Sequence, residues 1–194
     1  MLRDIGDGDY ELKCECITAK QQIKQRELHE HFIFSLTALD VYDLFSRGLL
    51  KIDVWNVDKS MKDRPKERGG YQREANLRRI QNFSNYISGE WPNEEIDGFG
   101  LSPTAVVLFL RNKDNISVSG KNKLVIKLNK DNPIYIPDGQ HRLGGMSWAI
   151  KREFGIKYED PIKVFDPKSE EYFRVKNLPV ASYEIVSVLM VSHE

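Results

Sequence analysis

Apolar residues recur at every second position, or form short continuous runs, in several stretches of this chain, and such stretches are typical of β-strands. One stretch is predicted to be a hairpin, because a polar turn that contains Gly120 divides it. The last stretch includes the apolar run at 188–191, which has the character of a central strand. The predicted strands cover residues 9–18, 31–36, 104–110, 115–129 (the hairpin), 134–136 and 178–191.

Apolar residues spaced three and four positions apart predict three helices between these strands. The first begins after Thr37, whose side chain is expected to cap the helix, with Asp40 in its first turn. The second spans residues 72–88 and ends at Gly89, and the third follows the strand at 134–136. The positions predicted to be buried on these helices are Leu39, Tyr42, Phe45, Leu77, Ile80, Phe83, Ile87, Leu143, Met146 and Ile150.

Strands, a hairpin and helices are intermixed, which predicts an α+β fold in a single domain over residues 1–194. With 40% apolar residues, the chain can bury a core, and no apolar run approaches the roughly 20 residues of a membrane span. We therefore expect a soluble, cytoplasmic protein with no membrane partner. Because the predicted central strand at 188–191 lies three residues before the last one, we also expect a C-terminal truncation, with this sequence being the N-terminal part of a longer protein.

The charge is balanced overall, with 29 Lys and Arg against 29 Asp and Glu, which excludes a generally basic nucleic-acid binder. Between Lys59 and Arg79, however, eight basic residues stand against three acidic ones. The first half of this segment contains Pro65 and two glycines, so it is predicted to be a loop. A basic loop can contact DNA phosphates without reading the sequence, and the alternative is an ordinary solvated loop. The candidate DNA contacts are Lys62, Arg64, Lys66 and Arg68.

The segment Asp138–Arg142 lies between a short apolar strand and a helix, and this position favours binding of a phosphate. Amides in the first turn of a helix have no partners within the helix, and Gly139 lets a ligand approach the backbone. His141 and Arg142 add a hydrogen-bond donor and a permanent positive charge. Asp138 is a candidate to cap the helix, to hold Mg²⁺ beside the phosphates or to orient an attacking water.

A simpler interpretation of the same residues stays open. A strand, a DG turn and a helix form a common junction, and this one lacks the full glycine and lysine spacing of a phosphate loop. In that case Asp138 and Gly139 only begin the helix, and His141 and Arg142 face solvent. The pair Gly144–Gly145 lowers helix propensity by roughly 1 kcal/mol per residue, which predicts that another element packs close to the backbone there.

The stretch Ile136–Met146, IPDGQHRLGGM, resembles the signature of the DGQHR-domain family, which includes the DndB proteins of DNA phosphorothioation systems. Upstream, Gln72, Arg73, Asn76 and Arg79–Ile80 resemble the QR-x-x-N-x-x-RI helix of the same family. The resemblance spans about residues 30–191. It implies a ParB/sulfiredoxin-like fold, in which a mixed sheet is flanked by helices.

In that superfamily the loop at this helix start binds nucleotide phosphates, of ATP in sulfiredoxin and of CTP in ParB. The resemblance thus implies a phosphate cradle formed by Gly139, Gln140, His141 and Arg142, with Arg73 and Arg79 reaching it from the upstream helix. Gln140 occupies the position of the nucleophilic cysteine of sulfiredoxin-like proteins, so sulfur-reducing chemistry is not expected.

These features together predict a nucleotide-binding, DNA-associated protein, and the resemblance implies that it belongs to a bacterial DNA-modification or defence system. If it hydrolyses ATP with Mg²⁺, the candidate catalytic residues are Asp138, which would also bind the metal, and His141. The alternative is a non-catalytic transcriptional regulator, or a module that binds DNA or other proteins of a phosphorothioation system. The sequence leaves the oligomeric state open.

Overall fold

A computed structural model describes residues 2–22, 28–52, 76–90, 104–120, 122–157 and 160–191. These residues form four α-helices, which are α1 (Ala38–Ser46), α2 (Leu77–Ile87), α3 (Gln140–Glu153) and α4 (Glu170–Lys176). The strands are β1 (Leu2–Gly6), β2 (Asp9–Glu15), β3 (Ile17–Gln22), β4 (Leu28–Thr37), β5 (Leu50–Ile52), β6 (Val106–Leu110), β7 (Ile116–Ser119), β8 (Lys123–Leu128), β9 (Ile134–Asp138) and β10 (Glu184–Val191).

The strands are divided between two sheets. An antiparallel sheet has the order β1-β2-β8-β7, and a six-stranded mixed sheet has the order β3-β4-β10-β6-β9-β5. In the mixed sheet β10 runs parallel to β6, and β5 runs parallel to β9, while the other pairs are antiparallel. The predicted α+β class and the central position of the run at 188–191 are therefore confirmed.

One buried cluster joins both sheets to the helices. It includes Leu12 and Ile126 of the antiparallel sheet, Leu108 and Leu189 of the mixed sheet, and Met146 of α3. All five of these side chains are fully buried. Helix α3, which follows Asp138, packs against both α1 and α2, and these two helices fix its position.

Several local predictions are confirmed. Thr37 caps α1 in a reciprocal capping box with Asp40, and Gly89, which follows α2, has the left-handed conformation with φ 72°. The predicted hairpin forms from β7 and β8. On α3, the stripe formed by Leu143, Met146 and Ile150 is completely buried.

Other boundaries differ from the prediction. Residues 9–18 do not form one strand, because the chain passes from one sheet to the other at Cys16, whose amide bonds to the carbonyl of Asn122. The last strand begins at Glu184 rather than at 178, since Pro179–Ser182 form a 3₁₀ turn. Leu77 was expected to be buried, but it is 44% exposed at the start of α2. The first part of the predicted helix, residues 72–75, lies outside the described residues.

Both cysteines, Cys14 and Cys16, are free thiols. Cys16 is buried, and burial raises the pKa of the Cys14 thiol to about 12. A thiol with so high a pKa stays protonated at neutral pH and is a poor nucleophile. In the part of the chain that the structure describes, no helix is long and apolar enough to span a membrane.

Candidate functional site at the start of helix α3

The predicted site lies where β9 leads into α3. Gly139 forms the N-cap of α3 with φ 98°, a left-handed conformation that side chains other than glycine rarely adopt. A Cβ atom at this position would lie 2.4 Å from Cγ1 of Val106, at the start of β6. The glycine is therefore required by the turn and by the neighbouring strand, which accounts for its presence whether or not a ligand binds.

Asp138 was considered as a cap for α3, and this prediction is wrong. The carboxylate makes no capping bond, because Gly139 rather than Asp138 occupies the N-cap position. The side chain of Asp138 is 75% exposed, and its Oδ2 lies 3.7 Å from Nη2 of Arg142. A carboxylate this open to solvent is accessible to a hydrated metal ion or to water.

Arg142 does not point freely into solvent. Its Nη1 donates hydrogen bonds to the carbonyl and hydroxyl oxygens of Thr104, and its Nη2 donates to the carbonyl of Ala105 at 3.1 Å. The guanidinium thus connects the first turn of α3 to the segment that enters β6. No sequence pattern indicates this contact, since residues 104 and 142 are distant in the chain and a backbone acceptor has no residue signature.

His141 is also engaged by the protein. The backbone N–H of Asn76 donates a 2.9 Å hydrogen bond to Nε2 of His141, so this nitrogen is an acceptor rather than the expected donor. Neutral imidazole carries its proton on the other ring nitrogen, Nδ1, when Nε2 accepts. Asn76 is itself the N-cap of α2, where its side chain accepts from the amide of Arg79. His141 therefore joins the N-terminus of α3 to the N-terminus of α2.

The two helices stay in contact along their length. A Cβ atom on Gly145 would lie 2.9 Å from the carbonyl oxygen of Ile80, so the glycine allows α2 to pack against the backbone of α3. Further on, Nη1 of Arg152 bonds to Oδ1 of Asn85 at 2.7 Å. The close packing predicted at the Gly144–Gly145 pair is confirmed. Because these contacts occur in the same order along both helices, α2 and α3 are parallel and their N-termini lie side by side.

This arrangement concentrates positive potential. Each helix N-terminus carries the equivalent of roughly half a positive charge. The first turns of α2 and α3 contain no acidic residue, whereas α1 has Asp40 and α4 has Glu170 and Glu171 in their first turns. Instead, α2 begins with the exposed Arg78 and Arg79, and α3 has Arg142. Basic residues are unfavourable at a helix N-terminus. Asp138 offsets part of this charge through its contact with Arg142, and a bound anion would offset more.

The remaining predicted residues are distributed as follows. The side chain of Gln140 is buried, with 5% exposed, so any contact it makes with a ligand would come from its backbone. Arg79 is exposed in the first turn of α2, on the helix whose N-terminus meets His141. The other predicted residues, Arg73, Lys62, Arg64, Lys66 and Arg68, lie outside the described residues.

Within the described ranges, no group of three or more His, Cys, Asp or Glu side chains is placed to hold a metal ion. Mg²⁺ commonly binds through one or two carboxylates together with the phosphates of its substrate. The exposed carboxylate of Asp138 fits that requirement as a single ligand. Comparisons with protein-family models, with curated proteins and with solved structures found no significant match to this chain.

Proposed function

We propose that this protein binds a nucleoside triphosphate, ATP or CTP, at the paired N-termini of α2 and α3. The observation that carries the proposal is the reversed charge of these two first turns, which place Arg79 and Arg142 where helices usually place acidic residues. A phosphate compensates both the helix dipoles and the basic side chains. The resemblance of the Asp138–Arg142 motif to the DGQHR family adds support, and the ParB/sulfiredoxin-like fold is part of the same proposal.

In this proposal the backbone at residues 139–141 supplies the main hydrogen bonds to the phosphate. Arg142 contributes positive charge from a fixed position, because its guanidinium is held on the carbonyls of Thr104 and Ala105. Arg79 approaches from α2, and Arg73 is proposed to add a further contact. Asp138 would hold Mg²⁺ on the phosphates or orient a water for hydrolysis of the phosphoanhydride bond, with His141 beside it. The biological setting that we propose is a bacterial DNA-modification or defence system, with DNA bound by Lys62, Arg64, Lys66 and Arg68.

Calorimetric titration with Mg-ATP and with Mg-CTP tests the binding. We expect saturable binding of at least one nucleotide and a loss of about tenfold in affinity for Arg79→Gln, which corresponds to about 1.4 kcal/mol. Lys127→Gln is the matched control, because it removes one positive charge from an exposed position on β8 of the other sheet. Equal losses in the two variants, or no binding to the unmodified protein, would contradict the proposal.

A second function is favoured by the contacts of His141 and Arg142, which both bond to the protein itself. We propose as the alternative a regulator that binds DNA or a partner protein, in which the motif organises the helices without turnover. Measurement of phosphate release with and without DNA separates the two. Turnover that is lost in Asp138→Asn, while nucleotide affinity is kept, supports the hydrolase; nucleotide binding without turnover supports the regulator.

A further inference from the structure

A cleft lies between the two sheets, on elements that do not take part in the site at α3. Its volume is about 430 Å³, within the range of roughly 300 to 1,000 Å³ that is typical of small-molecule sites. One wall is the edge strand β7 of the antiparallel sheet, and the other is formed by β3 and β4 of the mixed sheet. The cleft is lined by residues from both sheets, so the way the sheets meet creates it.

The interior of the cleft is apolar. Phe32 and Val191 line the cleft from the mixed sheet and are buried, with 4% and 9% exposed. Ile116 and Val118 project from β7 on the opposite side, and Val118 is 45% exposed. An apolar ligand would remove this surface from water, which is favourable in proportion to the apolar area buried.

The polar groups of the cleft leave one positive charge uncompensated. Nζ of Lys20 forms an ion pair with Oε1 of Glu30 at 3.2 Å, so these two charges cancel. Lys113 also lines the cleft, and its side chain has no acidic partner among the residues that the structure describes. A cationic ligand would have to compete with Lys20 for Glu30, whereas an anionic ligand would meet Lys113 directly.

We infer that this cleft binds a small amphipathic anion, in which an apolar chain or ring packs on Phe32, Val118 and Val191 and one anionic group pairs with Lys113. The apolar lining and the lone cation are complementary to the two halves of such a molecule. This inference is independent of nucleotide binding, since none of the lining residues belongs to α2, α3 or β9.

Octanoate is a suitable probe, with 1-octanol as the uncharged probe of the same chain length, and both can be titrated while amide chemical shifts are recorded. We expect saturable shifts at the residues that line the cleft with octanoate, and weaker binding of 1-octanol. In Lys113→Gln the affinity for octanoate should fall about threefold, which is typical of a partly exposed ion pair, and the difference between the two probes should disappear.

Val118→Asp tests the apolar part of the cleft, because it places a negative charge among the apolar side chains. We expect no measurable octanoate binding in this variant. Ser119→Asp is the matched control, since it adds the same charge to the same strand on its opposite face. Saturable shifts outside the cleft, equal affinity for both probes, no binding to the unmodified protein, or equal binding by Val118→Asp and Ser119→Asp would each overturn the inference.

Discussion

The hydroxyl of Tyr172, in α4, donates a hydrogen bond to Oδ2 of Asp43, in α1, at a distance of 3.3 Å. Asp43 is buried, with 6% of its surface exposed, and its desolvation raises the pKa of the carboxyl to about 6. The nearby Arg47 and the bond from Tyr172 lower the pKa, but burial outweighs both. A carboxyl that ionises only near pH 6 links the stability of this part of the fold to pH.

Ionisation of Asp43 should destabilise the protein. Its pKa is about 6 in the folded state, above the ordinary value of 3.8, so the folded protein binds the proton more tightly and stability falls as pH rises from about 4 to 6. The shift in pKa corresponds to a loss of about 3 kcal/mol in the free energy of unfolding above pH 6. We expect Asp43→Asn to be as stable as the unmodified protein at pH 4 and more stable at pH 7.5, as measured by urea unfolding at each pH.

Tyr172→Phe provides the control for this prediction. It removes a hydrogen bond that stabilises the ionised carboxylate, so it should move the loss of stability to higher pH rather than remove it. If the difference in stability between Asp43→Asn and the unmodified protein is the same at pH 4 and pH 7.5, the assignment of this titration to Asp43 is wrong.

Gly145→Ala tests the contact between α2 and α3. Alanine is favoured over glycine in a helix by about 1 kcal/mol, but the new Cβ would lie 2.9 Å from the carbonyl oxygen of Ile80. We expect a net loss of about 1 to 3 kcal/mol in the free energy of unfolding. Gly144→Ala is the control, because its Cβ would meet side-chain atoms of Ile80 rather than its backbone, the nearest being Cδ1 at 3.3 Å. A loss that is no larger for Gly145→Ala than for Gly144→Ala would show that backbone contact does not limit the packing.

Arg142→Lys should reduce both stability and nucleotide affinity. A lysine ammonium cannot reproduce the planar fork that bonds to Thr104 and Ala105 together, so we expect about 1 to 2 kcal/mol less stability in urea unfolding. Arg152→Lys is the control at the other end of α3, where Arg152 bonds to Asn85 and Glu90. It should also lower stability but leave nucleotide affinity unchanged. Equal loss of affinity in both variants would remove any specific role of Arg142.

His141→Ala should free the start of α2. Without Nε2 as an acceptor, we expect the Asn76 amide to exchange with solvent faster. Because the lost hydrogen bond is exposed, we expect the free energy of unfolding to fall by only about 0.5 to 1 kcal/mol. Amide exchange measured by NMR checks this. The amide of Asp40 is an internal control, because it is held by Thr37 in the capping box of α1. Unchanged exchange at Asn76 would mean that His141 does not hold this helix end.

The sequence carried enough information for the elements that local rules control. The capping box of Thr37 and Asp40 and the buried stripe at Leu143, Met146 and Ile150 follow from short-range chemistry and helical spacing. Helix α4 went unpredicted, although Ser169 caps it through the amide of Tyr172, because its seven residues are too few for a clear apolar period. The passage of the chain from one sheet to the other at Cys16 was not predicted either, because apolar and polar residues continue to alternate across it.

The position of the candidate site in the chain could be predicted from the sequence, but the contacts of its side chains could not. The position of Asp138–Arg142 between a strand and a helix followed from residue pattern, as did the need for close packing at Gly145. The partners of His141 and Arg142 are backbone atoms of distant residues, and their identity depends on tertiary structure alone. The parallel alignment of α2 and α3, on which the proposed function depends, could not be predicted for the same reason.

The most direct test of the central claim is a titration of the isotopically labelled protein with Mg-ATP and Mg-CTP, in which backbone amide shifts are followed by NMR. The account predicts the largest saturable shifts at residues 139–142 in α3 and 76–79 in α2, because both helix N-termini would face the phosphates. Saturable binding whose largest shifts lie elsewhere in the chain, or the absence of any saturable shift with either nucleotide, would contradict it.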